Sequence, residues 1–203
     1  MILYYVHDPM CSWCWGFRPT WAEIKANLPE AVEVKYLLGG LAPDSSETMP
    51  ESMQSDIVGY WRRIQQHIPG TQFNFDFWDK CEPRRSTYPA CRAVIATRKQ
   101  NPELELEMIE AIQQAYYMGA QNPSNESTLI TLAGALGLDE QQFASDLNSA
   151  ETQQILEAEM MTGRRLGAQG FPSLILAKDG QAQYLPLDYN SADNVLNLIK
   201  SAI

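Results

Sequence analysis

The chain has 203 residues, 45% of them hydrophobic, and a formal net charge of -10. It is long enough to bury at least one sizeable core and too apolar for a disordered chain. Its basic residues gather only in the doublets Arg62-Arg63, Arg84-Arg85, Arg98-Lys99 and Arg164-Arg165, so a nucleic-acid partner is set aside, and no apolar run approaches a membrane span.

Residues 2 to 6, ILYYV, are aromatic and β-branched enough to read as a buried strand. They are too short, and too soon interrupted by His7 and Asp8, for a signal peptide, so the chain is expected to stay in a reducing cytoplasm. Phe17, Trp21, Ile24 and Leu28 form the apolar stripe of a following helix, with Pro19 inside it and Pro29 at its end. VEVKYLL (32 to 38) predicts a second strand stopped by Gly39-Gly40, and strands joined through a helix are normally parallel.

From about residue 50 to about 166 helical patterns dominate. Met108, Ile112, Ala115 and Tyr116 share a face with Leu104, and Leu129, Ala133 and Leu136 mark a further helix that Gly137 ends. Asp139 and Gln142 resemble a capping box, and Ser149 is placed to cap a longer helix running to Leu166. SLILA (173 to 177), Asp179-Gly180 and a strand over 181 to 185 predict a hairpin, and a last helix follows, with Ser191 as its expected cap. The order is β-α-β, a helical block, then β-β-α. One sheet built from both chain ends, residues 1–49 and 167–203, with 50–166 as an inserted helical domain, is the expected arrangement.

The chemistry centres on DPMCSWCWGF, residues 8 to 17. Cys11 falls where strand becomes helix, an environment of free backbone N–H groups that favours thiolate over thiol. Cys14, one turn further in, lies on the same side and can close a disulfide onto it. A CxxC is also half of a zinc site. Here Cys81 and Cys91 form no second CxxC, and only His7 and His67 stand by, so no metal and no cofactor is expected. Two buried structural cysteines are the third reading. Cys81 and Cys91 themselves read as core residues or as a second redox pair. Trp13, Trp15 and Phe17 crowd the pair as core packing, with Trp13 the one placed to touch a peptide. His7 and Asp8 read as a satisfied strand-end pair or a proton relay, and Arg84-Arg85 as a solvated face. Pro172, ahead of SLIL, fits an ordinary trans proline opening a strand.

Together, ILYYVHDPMCSWCWGF, the helical block and GAQGFPSLIL with its hairpin and last helix resemble the DsbA-like branch of the thioredoxin superfamily across essentially the whole chain. The resemblance is narrower still to the cytoplasmic protein-disulfide-isomerase-like subgroup near the FrnE and 2-hydroxychromene-2-carboxylate isomerase types. It implies an α/β thioredoxin-like fold with a large helical insertion and thiol-disulfide exchange on protein or peptide disulfides. Cys11 would be the nucleophile and Cys14 the resolving thiol, with Phe171, a cis Pro172 and Trp13 meeting substrate. Glutathione enters as a partner through the alternative, a glutathione-linked isomerase or transferase acting on a small molecule. Ser12-Trp13 lacks the histidine of the strongly oxidising members, so the potential, the direction of electron flow and the recycling partner do not follow from the resemblance.

Overall fold

The computed structural model describes residues 1–203. Four strands, β1 (Ile2–His7), β2 (Glu33–Leu38), β3 (Ser173–Lys178) and β4 (Gln181–Leu185), form one mixed sheet in the order β2-β1-β3-β4. β1 and β2 are parallel and connected through α1 (Ser12–Ala26), whereas β3 is antiparallel to β1, with Val6 opposite Ser173. That register brings the segment before β3 alongside the turn after β1. The β3–β4 hairpin turns on Asp179 and Gly180 at φ 51° and 79°, the mirror-image turn that Asp-Gly favours.

Alternation along β1 sorts its side chains between two faces. Leu3 and Tyr5 pack in one cluster with Phe17, Trp21 and Ile24 of α1 and with Val195 and Ile199 of α9 (Asp193–Ala202). Val6 points the other way, against Leu37 and Ile175. Gly163 of α8 (Ala150–Arg165) meets it there, and a Cβ at Gly163 would lie 3.1 Å from Val6 Cγ1, so the missing side chain permits the close approach.

Between β2 and β3 the chain is helical: α2 (Glu51–His67), α3 (Phe77–Lys80), α4 (Tyr88–Gln100), α5 (Glu105–Tyr117) after a 3-10 turn, α6 (Glu126–Ala135), α7 (Glu140–Leu147) and α8. Their apolar faces merge into a core of 25 buried residues that also takes in Met10, Trp15 and Leu38. Trp61 is its largest fully buried side chain and stacks on Phe73 with centroids 4.8 Å apart. Burying a side chain of this kind contributes about 1.5–3 kcal/mol, which makes the cluster the main stabiliser of these helices.

Helix ends follow local chemistry with small departures from expectation. Asp139 accepts from the Gln142 N–H, but the Gln142 amide turns to Asp146, so only half of the capping box forms. Ser149 caps α8 through the Thr152 N–H. Ser191 bonds the Asp193 N–H while Ala192 occupies the cap position of α9, and Leu28 lies beyond the end of α1. Arg84 is not a solvated face: it is half-buried, donating to the Ser124 carbonyl and to Asn125. No helix is long and apolar enough to cross a membrane.

Candidate active site

β1 ends at His7 and the chain turns through Asp8, Pro9 and Met10 before α1 starts. The turn is fixed by Asp8, whose carboxylate accepts from the Met10 N–H at 2.8 Å, the Leu41 N–H at 2.7 Å and Thr87 Oγ1 at 2.7 Å. Cys91 Sγ lies 3.5 Å from the same carboxylate. Burial still raises the Asp8 pKa, although these donors oppose it. Cys11 is the N-cap of α1, in extended conformation, and its backbone N–H donates to the Asp8 carbonyl at 3.0 Å.

All four cysteines are free thiols. Cys14 and Cys11 are both buried, at 0% and 6% exposed, so Cys11 is the one of the pair that keeps some exposure. The Cys14 thiol's hydrogen bond, helped by the backbone N–H groups of Cys14 and Trp13, holds Cys11 below the ordinary thiol range against the opposing effects of burial and the Asp8 charge. Cys14 is pushed well up, first by burial and then by the Cys11 bond. The surroundings thus act unequally on the pair, favouring the thiolate form at Cys11, at the helix start, and the protonated form at Cys14, one turn behind it.

The segment before β3 closes the site. Phe171 and Pro172 are joined by a cis bond, and the Phe171 carbonyl lies 3.4 Å from Cys11 Sγ. The Phe171 ring folds onto Gly39, where a Cβ would stand 2.0 Å from it, so the bare glycine after β2 makes room for the loop. Pro172 is buried while Gln169 and Gly170 are exposed, and the Gly170 carbonyl accepts from Ser173 Oγ at 2.7 Å.

Trp13 is half-buried rather than free: its ring lies 6.0 Å from His67 and 5.1 Å from Tyr189 between centroids. These two neighbours carried no local sequence signal. Nor did Thr87 and Cys91, which reach Asp8 across 79 and 83 residues of chain. The strand-end pair splits in character, because Asp8 is fully bonded whereas His7 Nε2, equally buried, has no partner. Cys81 bonds the Ala120 carbonyl at 3.1 Å and Cys91 faces Asp8, so the two do not bond each other. No group of three or more His, Cys, Asp or Glu side chains is gathered to hold a metal ion.

A family profile described as Thioredoxin matches residues 4–186. The chain belongs to this thioredoxin family. Within the superfamily its arrangement is DsbA-like. A Nitrosomonas europaea protein, provisionally assigned as a protein disulfide isomerase, superposes with a TM-score of 0.84 at 28% identity, over 98% of this chain and 96% of that one. The cytosolic disulfide reductase DsbM from Pseudomonas aeruginosa does so at 0.77 and 25% identity, over 100% and 98%, and its structure with GSH at 0.76. The ClpXP adapter protein SpxH of Halalkalibacterium halodurans is 24% identical over 181 residues, covering 87% of this chain and 58% of that protein. The thioredoxin-family chain therefore spans less than three fifths of the length of the curated relatives it matches.

Proposed function

We propose that the protein is a thiol-disulfide oxidoreductase acting on protein or peptide disulfides, with Cys11 as nucleophile and Cys14 as resolving thiol. The observation that carries this reading is the placement of Cys11 Sγ at the start of α1, 3.4 Å from the Phe171 carbonyl, with Cys14 fully enclosed behind it. The Cys11 thiolate attacks one sulfur of the substrate disulfide, forming a mixed disulfide and expelling the other sulfur as a thiolate that takes up a proton. Cys14 then loses its proton and attacks Cys11 Sγ. The substrate leaves as a dithiol, and the Cys11–Cys14 pair is left oxidised by two electrons.

In this reading the loop at Phe171 and Pro172 pairs its backbone with an extended substrate segment beside Cys11, and Trp13, seated between His67 and Tyr189, meets the substrate's side chains. Residues 1–49 and 167–203 act as the thioredoxin-like domain and 50–166 as an inserted domain that walls the site. DsbM, a cytosolic reductase seen with GSH, supports a cytoplasmic setting and glutathione as a thiol partner. The same likeness supports a second reading, a glutathione-linked enzyme acting on a small molecule.

Trapping separates the two. Cys14→Ser protein incubated with a disulfide-containing peptide is expected to accumulate a mixed disulfide at Cys11, visible on a non-reducing gel and by mass spectrometry, and Cys11→Ser none. If Cys14→Ser captures nothing while small thiol substrates still turn over, the glutathione-linked reading replaces the first.

A further inference from the structure

Asp8 is a buried acid with no cation to answer it. It is 0% exposed and forms no ion pair. Its chain neighbour His7 is uncharged near neutral pH, because burial, with the Arg98 charge, lowers its pKa to about 3. The four groups that bond the Asp8 carboxyl are all donors: the Met10 N–H on one oxygen, and the Leu41 N–H, Thr87 Oγ1 and Cys91 Sγ on the other. The ionised carboxylate is the form that such a set of donors fits. A buried charge without a counter-ion is costly, and a fold that keeps one next to its reactive pair points to a use for it there.

The donors come from two parts of the chain. Met10 and Leu41 belong to the segments that follow β1 and β2, whereas Thr87 and Cys91 stand one turn apart at the start of α4. Thr87 is the N-cap residue of that helix, a position where a threonine hydroxyl ordinarily accepts from an N–H of the first turn. Here it makes no such bond. The hydroxyl instead donates to Asp8 at 2.7 Å and accepts the Ala42 N–H at 3.0 Å, and the Thr87 N–H donates to the Ala42 carbonyl at 3.0 Å. Capping of α4 is thus given up for a bond that reaches the turn carrying Cys11, whose own N–H donates to the Asp8 carbonyl.

The titratable side chains that feel the Asp8 charge are Cys11 and Cys14 of α1, Cys91 of α4, and Tyr116 and Tyr117 of α5, and in each case the charge opposes ionisation. Glu159 of α8 acts on Cys91 in the same sense. Whatever keeps Asp8 ionised therefore restrains the Cys11 thiolate.

We propose that Thr87 is a positioning residue for the thiol pair, acting from the helical segment through Asp8: its hydroxyl holds the carboxylate ionised and oriented behind the Cys11 turn, and so limits how readily Cys11 reacts. Without that hydroxyl, the oxygen it serves keeps only the Leu41 N–H and the longer thiol contact. Asp8 then takes up a proton at higher pH, its repulsion is relieved over more of the range in which Cys11 titrates, and the thiolate appears at lower pH.

Iodoacetamide labelling of the reduced full chain, followed at Cys11 by mass mapping across a pH series, tests this. Thr87→Val should move the Cys11 midpoint down by about half a pH unit, roughly a threefold faster labelling on the acid side. Thr87→Ala, which sets no methyl against the carboxylate, should do the same, so the outcome does not depend on valine being accommodated. Thr87→Ser keeps the donor and should follow the parent. In an Asp8→Asn background, where the charge is already gone, Thr87→Val should add no further shift. The inference rests on the thiol-exchange reading for its consequence, but alkylation needs no disulfide substrate, so a failure of mixed-disulfide trapping and a failure of this coupling are separate results. An unchanged Cys11 profile in both variants that lack the hydroxyl, an equal shift in the Asp8→Asn background, or a serine variant that behaves like valine would overturn the proposal.

Discussion

Cys11 and Cys14 differ by one helical turn, yet their surroundings push them in opposite directions, and Asp8 acts on both. Its buried carboxylate raises Cys11 as well as Cys14, while the Cys14 thiol and the first-turn N–H groups lower Cys11. For a thiol, a lowered pKa means that the reactive anion appears at lower pH, and a raised one delays it. Alkylation of the reduced protein with iodoacetamide, followed by mass mapping across a pH series, should therefore label Cys11 first, with Cys14 reacting only at higher pH. Asp8→Asn removes the negative charge and should move the Cys11 profile to lower pH. It should also destabilise the fold by about 1–3 kcal/mol, since one amide oxygen cannot serve the donors that Asp8 now satisfies. Labelling of Cys14 ahead of Cys11 would reverse the assigned roles.

At the scale of elements, the site depends on two turns meeting, the one that opens α1 and the one that opens β3, and Gly39 is what lets them meet. A methyl group there would lie 2.0 Å from the Phe171 ring, so Gly39→Ala must displace Phe171 and with it the carbonyl beside Cys11. The expected cost is about 1–3 kcal/mol of stability from overpacking. Mixed-disulfide capture in the Cys14→Ser background should also slow. Gly59, inside α2 with nothing within 4 Å of its would-be Cβ, is the control, and alanine there should stabilise by roughly 0.5–1 kcal/mol. Equal capture rates in the two alanine variants would detach the Phe171 loop from the chemistry. The elements themselves were legible in the chain because their signals are local: the apolar stripe of α1, the Asp139 and Ser149 caps, and Asp179-Gly180 in the hairpin. The CxxC was legible for the same reason, whereas the cis bond at Phe171-Pro172 followed only from the family resemblance, Pro172 by itself fitting an ordinary trans proline. The contacts of Thr87 and Cys91 with Asp8, the seat of Trp13 between His67 and Tyr189, and the unpartnered Nε2 of His7 were not, because each is made by segments that only the tertiary fold brings together. Arg84 was misread on that account, its partners lying 40 and 41 residues away.

Across the whole molecule, the helices and the sheet are joined by more than chain connections. Met10, Trp15 and Leu38, from around β1, α1 and β2, lie inside the large helical core, and Tyr189 packs on both main clusters. A polar tie runs beside them. Glu159 of α8 accepts the Leu38 N–H of β2 at 2.8 Å and pairs with Arg98 of α4, which also holds Glu105 of α5 at 3.1 Å. The Glu159 side chain is only 13% exposed, so losing its charge leaves Arg98 poorly compensated in a region of limited solvent screening. Shared cores and a shared network mean that neither part keeps its buried surface when the other opens, so unfolding should be a single cooperative transition. Urea titrations followed by far-UV circular dichroism, dominated by the helices, and by tryptophan fluorescence, sensitive to Trp21 on the sheet side and to Trp15 and Trp61 in the helical core, are expected to share one midpoint. Glu159→Gln should lower both readouts together by about 1–3 kcal/mol. Separate midpoints in the parent, or a shift of one signal without the other in Glu159→Gln, would show that the helical segment and the sheet unfold independently, and the network at Glu159 would then be no more than a local contact.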